Sequence, residues 1–441
     1  MTESNQPQKN RRTFLKQTGG LLVGTGLGLS LPTIVPRSVL AGSKEGAPSD
    51  RINVGSIGIR NQGGGNLGRL LDKRFEKIAR IIAVCDVDSD VLAIGKARVE
   101  KANKSLCQAY GDYRKLLDNK DLDAVVISTP DHWHGLITVD ACMAGKDVYC
   151  EKPLSLTIAD GQAMVKAARN MGRIVQTGSQ QRSDEGFRRA CELVRDGKLG
   201  KIHTVRCGIS GVNLKGEPVP NSDPPKELDF NFWLGPAPQR PYNAQHVHYN
   251  FRFFWDYSGG QMTNWGAHHL DIAQWGLGSD DSGPVSIEGQ ARYNKDHLFE
   301  VPEWCEAIHH YANGVKLIVG QSEKGGTTFE GDKGTLHVNR KGFTCTPKEL
   351  ADAPISAGDT QLYASTDHFG NWFDCIKSRN LPICDVGIGH RSASMCHLGN
   401  IAIRLGRKLS WDPIKEEFVG DQAANEMVIR RYRAPWKNPV S

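Results

Sequence analysis

Lys152 closes the stretch Asp147 to Pro153, DVYCEKP, in which apolar and aromatic residues run straight into Glu-Lys-Pro. That is the pattern of a buried strand delivering a cation at its carboxyl end, where open α/β sheets hold their ligands. A lysine in that place can stabilise an oxygen on which negative charge develops; a lysine that only caps a strand in solvent is the plain alternative. A second chemically dense stretch runs from His246 to Asp271, HVHYNFRFFWDYSGGQMTNWGAHHLD. On a helix His268 and Asp271 are three apart and share a face, so the carboxylate is expected to orient the imidazole. Neutral imidazole titrates near the working pH, which suits His268 to removing a proton.

A third constellation precedes both. Arg51 to Gly58 is a short apolar strand ending in glycine, with helical apolar spacing from Leu67 to Phe75 beyond it. Strand, glycine turn and helix open a dinucleotide-binding unit, with Gly58, Arg60 and Gly63 in the three glycine places. Arg60 stands where backbone normally approaches a pyrophosphate, so it either shifts the phosphate or contacts it through its guanidinium. The next strand, Ile81 to Cys85, ends at Asp86, 23 residues after Gly63. An acid there accepts from both ribose hydroxyls and repels a 2′-phosphate, which favours NAD over NADP. Alternatively Asp86 caps the following helix, a task Asp88 could perform equally well.

These side chains need a scaffold. Strand patterns at 123–130 and 173–178 alternate with helices at 91–102, 136–143 and 158–170, the last opened by the Thr157-to-Asp160 capping box. Such alternation forces a parallel sheet with helices on both faces. Thr129, Pro130 and His134 then fall at a strand end beside the ligand, His134 serving equally well as a helix cap. Beyond about residue 181 the pattern changes to an amphipathic helix, a long loop at 213–241, alternating strands and a Phe329-to-Leu336 hairpin that shows no chemistry of its own.

In this order the glycine turn, the ribose acid, Thr129-Pro130 with His134, Glu151-Lys152-Pro153 and Gly266-x-His268-x-x-Asp271 resemble the Gfo/Idh/MocA family of sugar oxidoreductases. The resemblance covers essentially the chain beyond the leader. It implies a Rossmann NAD-binding domain at 51–180. An open, mostly antiparallel sheet domain follows at 181–441, with C-terminal helices returning to the first domain. It further implies that Lys152 contacts the hydroxyl being oxidised, that Glu151 belongs to the cofactor site, and that the assembly leans towards a homo-oligomer. Many members carry an aspartate where this chain has Asn264; an amide holds a sugar hydroxyl without taking its proton, which shifts the burden to His268. His246, His248, Tyr249 and Arg252 are expected to contact the sugar, with His269 an understudy. No metal site is read from the histidines, which lack a ligand spacing.

Composition bounds these readings. The 441 residues are 39% hydrophobic and 24% charged, with a net charge of +6, ordinary for a globular chain of two domains and without the marks of a nucleic-acid partner. The eleven cysteines form no Cys-x-x-Cys pair, against a zinc knuckle or disulfide framework. Residues 1–42 read as a twin-arginine signal peptide: Asn10-Arg11-Arg12-Thr13-Phe14-Leu15-Lys16, a glycine-rich apolar run broken by Pro32 and Pro36, then Val39-Leu40-Ala41. The run is too short to span a membrane. Export by that route, in a folded state and to a compartment without a ready NAD pool, implies a tightly bound NAD regenerated in each cycle. The chain is therefore expected to oxidise a hydroxyl of a sugar or glycoside. The main alternative is a redox-neutral NAD-dependent glycoside hydrolase; a non-catalytic sugar-binding protein on the same scaffold is the rival from another class.

Overall fold

The computed structural model describes residues 51–212, 216–352 and 358–439; the expected signal peptide lies outside the described residues. Six strands make the first sheet: β1 Ile52–Ile57, β2 Ala79–Cys85, β3 Gln108–Tyr110, β4 Ala124–Ile127, β5 Asp147–Cys150 and β6 Val175–Thr177. Their order is β3-β2-β1-β4-β5-β6 and every pairing is parallel. Strands β4 and β5 are buried along their whole length because helices cover both faces, which is why they read as apolar runs rather than alternations. The order in which strands are added reverses at the junction of β1 and β4, so the turns after β1, β2, β4 and β5 converge on one crevice.

Strand β3 carries no periodic signal of its own, at three residues, and was not visible in the sequence. The helix after β4 begins at Asp131, so His134 lies in its first turn rather than at a strand end. Asp88, not Asp86, caps the helix Ser89–Asn103, accepting from the amides of Asp90 and Val91 at 3.1 and 3.0 Å. Asp86 is thereby left facing the crevice. Thr157 caps its helix as expected, accepting from Asp160 N at 3.1 Å, while the Asp160 carboxylate turns to Arg430 and Tyr432.

The second sheet has nine strands in the order β13-β12-β11-β7-β10-β9-β8-β14-β15. They are β7 Ile202–Gly208, β8 Ser286–Arg292, β9 Trp304–His310, β10 Lys316–Gly320, β11 Gly326–Gly331, β12 Gly334–Asn339, β13 Gly342–Thr346, β14 Leu409–Asp412 and β15 Glu417–Phe418. All pairings are antiparallel except β7 with β10. One face packs on the helices Glu185–Arg195, Gly266–Leu277 and Val386–Leu405, around Phe187, Leu270, Trp275, Val319 and Phe329. The helix His368–Ser378 returns to the first sheet, where Phe369 stacks on Tyr149 of β5 at 4.4 Å between ring centres.

Candidate active site

Gly58 ends β1 at φ +76°, a conformation L side chains rarely adopt, and a Cβ there would meet the Ser128 carbonyl carbon at 2.9 Å. A Cβ on Gly63 would fall 1.9 Å from the Gly58 carbonyl oxygen. Both glycines are therefore required for the helix Gln62–Leu70 to start directly against the turn, with its amino end towards the crevice, the arrangement that suits a pyrophosphate. Arg60, half-exposed, turns its guanidinium to Asp88 at 3.4 Å and to the His248 ring at 3.2 Å. It thus places a charged side chain at the middle glycine place of the turn. Asp86 accepts from Ile59 N at 2.9 Å and Asp88 N at 3.1 Å; burial raises its pKa and these amides oppose the rise. Bare turn, helix end and acid together fit a dinucleotide.

One cavity runs from this turn to the second domain. Gly58, Arg60, Asp86, Thr129, Pro130, His134, Glu151 and Lys152 line it from the first domain, and His248, Tyr249, Arg252, Asn264 and His268 from the second. Glu151 reaches it while holding the glycine-turn helix in place, accepting from Asn66 Nδ2 at 2.8 Å and Gln62 Nε2 at 3.2 Å. His134 puts one ring nitrogen 2.8 Å from the Pro153 carbonyl oxygen and the other 2.9 Å from that of Thr129. Burial pulls its pKa down, but Cys150, Asp131 and the Pro153 carbonyl outweigh this and push it up to about 10. As an imidazolium it donates to both carbonyls and ties the turn after β4 to the chain at Lys152.

Lys152 Nζ donates to the Asn264 carbonyl at 3.2 Å and to its side-chain oxygen at 3.1 Å, so Asn264 aims the ammonium. Burial lowers the lysine pKa; Glu151 and Asp131 resist, while Arg252 and Arg340 reinforce the fall. The His268 imidazole is held well below its usual pKa by burial, by Lys152 and by Arg340, so it is neutral at working pH. Arg340 donates to its Nε2 at 3.2 Å.

Three expectations are corrected. Asp271 does not orient His268: its carboxylate accepts from Arg182 Nε at 2.9 and 3.0 Å and from Ser392 Oγ at 2.6 Å. Three residues of helix place two side chains on one face, but the buried guanidinium outcompetes a neutral ring for the carboxylate. His246 packs edge-on against Phe254 at 4.4 Å, within an aromatic cluster behind the cavity. His269 Nδ1 donates to the Gly208 carbonyl at 2.6 Å, and burial drops its pKa to about 4. Neither lines the cavity.

Two cavity residues escaped sequence reasoning. Asp131, buried and bonded to Ser258, acts on both Lys152 and Arg252. Arg340 occupies the tip of the hairpin between β12 and β13, and a polar hairpin tip carries no local signal of what it faces.

Comparison with known proteins places the fold. Residues 52–179 match the NAD-binding Rossmann fold of an oxidoreductase family and residues 192–438 its C-terminal alpha/beta domain. The chain belongs to the Gfo/Idh/MocA oxidoreductase family. Among curated relatives, an inositol 2-dehydrogenase of Salmonella typhimurium is 29% identical over 193 residues, 42% of this chain and 54% of the relative. A myo-inositol 2-dehydrogenase of Thermotoga maritima is 31% identical over 35% of this chain and 44% of its own. The aligned part thus spans about half the length of these curated relatives. Among solved structures, the WlbA dehydrogenase of Bordetella pertussis, in complex with NADH and UDP-GlcNAcA, superposes with a TM-score of 0.61 at 19% identity, covering 82% of this chain and 99% of that one. At that identity the likeness speaks for the fold.

Proposed function

We propose that this Gfo/Idh/MocA protein oxidises a hydroxyl of a sugar or glycoside with NAD. The observation that carries the reading is one cavity with Gly58 and Asp86 at one end and Lys152, Asn264 and His268 at the other. Bound there, NAD supplies the hydride acceptor. Lys152, aimed by Asn264, donates to the carbinol oxygen and stabilises the charge that develops on it. His268, neutral, takes the hydroxyl proton, and the hydride leaves the same carbon, so the alcohol becomes a carbonyl. The inositol dehydrogenases among the curated relatives support this reaction class.

NAD, rather than NADP, follows from Asp86. Asp86→Ser is expected to raise the NADP-to-NAD ratio of kcat/KM by at least about tenfold, since a like charge beside a phosphate costs over 1 kcal/mol at short range. A ratio that stays put would take the acid out of cofactor selection.

A second reading is favoured by one relative, glycosyl hydrolase family 109 protein 1 of a Shewanella species, 26% identical over 225 residues, 47% of this chain and 45% of its own. In it, oxidation acidifies the neighbouring carbon, the aglycone is eliminated, water adds, and the held cofactor is reoxidised as the sugar is reduced. The twin-arginine stretch supports export to the periplasm through the twin-arginine machinery and, with it, a tightly retained NAD. The purified protein, scanned for bound dinucleotide and offered sugars, inositols and aryl glycosides with and without NAD, decides among these readings. NADH appearance selects the dehydrogenase. Aglycone release without net NADH selects the hydrolase. No bound dinucleotide and no response to NAD leaves the non-catalytic binding protein. Unaltered export of a chain with Arg11 and Arg12 both changed to lysine would contradict the twin-arginine route.

A further inference from the structure

The sugar end of the cavity holds three basic side chains, Lys152, Arg252 and Arg340, and two carboxylates, Asp131 and Glu151. Both carboxylates are engaged, Glu151 by Asn66 and Gln62 and Asp131 by Ser258. Both act on Lys152, and Asp131 acts on Arg252. Neither answers Arg340, on which burial alone acts. Among the described residues its polar partner is the His268 ring, and its guanidinium lies over Trp265 at 5.1 Å from the ring centre. A guanidinium carries five N–H donors and never gives up its charge, so most of its donors stand ready at the cavity.

The contact with His268 has a chemical consequence. Because Arg340 can only donate, Nε2 of His268 accepts and the ring proton sits on Nδ1, which is buried and without a hydrogen-bond partner among the described residues. The lone pair that must receive the substrate proton is therefore covered by Arg340. A carboxylate is a stronger, two-pronged partner for a guanidinium than a neutral imidazole is. Arg340 is exposed at a two-residue hairpin tip, so its side chain is free to change partners.

We propose that Arg340 receives a carboxylate on the substrate, so that the preferred sugar is an acid of the uronate class, and that this binding uncovers Nε2 of His268. The inference rests on the oxidoreductase reading and names the substrate class of that same site. A neutral sugar must compete with Arg340 for the base; an acidic one draws Arg340 away as it docks.

The test uses the NAD-loaded protein and matched pairs of methyl glycosides, each neutral sugar beside its uronate in the gluco, galacto and manno series. The best uronate is expected to exceed its neutral partner at least roughly tenfold in kcat/KM, the worth of one charge-assisted hydrogen bond. Arg340→Gln is expected to collapse that ratio towards one. The same variant removes a donor and a positive charge from beside His268, whose charged or titratable neighbours are Lys152, Arg340 and the neutral His269. The acid limb of kcat/KM against pH should therefore move to higher pH. A purely structural Arg340 would lower both substrates of a pair alike and leave the limb in place, which overturns the proposal, as does a wild-type protein that turns over neutral sugars as well as or better than uronates. If the wild type oxidises none of the panel, the oxidoreductase reading fails separately. Calorimetric titration of the same pairs then decides, and uronates binding no tighter than their neutral partners overturns the inference.

Discussion

Replacing Lys152 by glutamine is expected to lower turnover roughly 10²- to 10³-fold, the usual loss when one charge-stabilising donor is removed from a site shielded from water. The amide can still bridge to Asn264, so the local packing survives, but it brings no positive charge to the carbinol oxygen. The other end of the cavity, lined by Gly58 and Asp86, is untouched, and dinucleotide retention should persist. Steady-state kcat on any carbohydrate the parent oxidises, measured beside the absorbance of bound dinucleotide, separates the two effects. Turnover equal to the parent's would remove Lys152 from the mechanism. Loss of dinucleotide along with turnover would make it a cofactor residue instead. The depressed lysine pKa sharpens the choice of glutamine over a neutral apolar residue, since an apolar chain would leave the Asn264 oxygens without their donor.

Asp271→Ala is expected to cost about 3–5 kcal/mol of stability, because it strips a buried guanidinium of its main partner. The side chains of Arg182 and Asp271 are each 1% exposed, and Arg182 also reaches Asp280 at 2.7 Å and lies over the Trp275 ring at 5.1 Å. Arg182 belongs to the short turn Gln180–Ser183 that leaves the first sheet, while Asp271 sits in the helix bearing His268. The pair therefore clamps the crossover between the two sheets to the helix that carries His268. A lower denaturant midpoint, with the acid limb of the pH–rate profile unmoved, is the outcome of such a clamp. A shifted limb at unchanged stability would restore the catalytic orientation expected from spacing alone. Asp271→Asn, which keeps the shape and one acceptor, should cost less.

The contrast between Lys152 and Asp271 shows where sequence reasoning reaches. Lys152 lies at the end of a buried strand in a parallel sheet, and a strand end can point only into the crevice, so its place follows from local pattern and topology. Asp271 lies on a helix buried all round, with His268, His269 and Asp271 all inside. Periodicity then says which side chains share a face without saying which neighbour meets that face. The same ambiguity sent His269 to the sugar in expectation and to a backbone carbonyl in the structure, while His246, in a loop with no periodicity, went to aromatic packing.

By itself the sequence determined the parallel sheet, the glycine turn, the acid that follows β2 and the lysine at the strand end. Each is set by a short run of buried apolar residues, by a backbone angle only glycine tolerates, or by short connections that leave one topology. Only the tertiary structure decided that Asp88 caps while Asp86 faces the crevice, that Asp271 belongs to Arg182, and that Arg340 covers Nε2 of His268. Those outcomes are competitions between partners distant in the chain, and they are settled by which charge is buried beside which, a quantity no local spacing encodes.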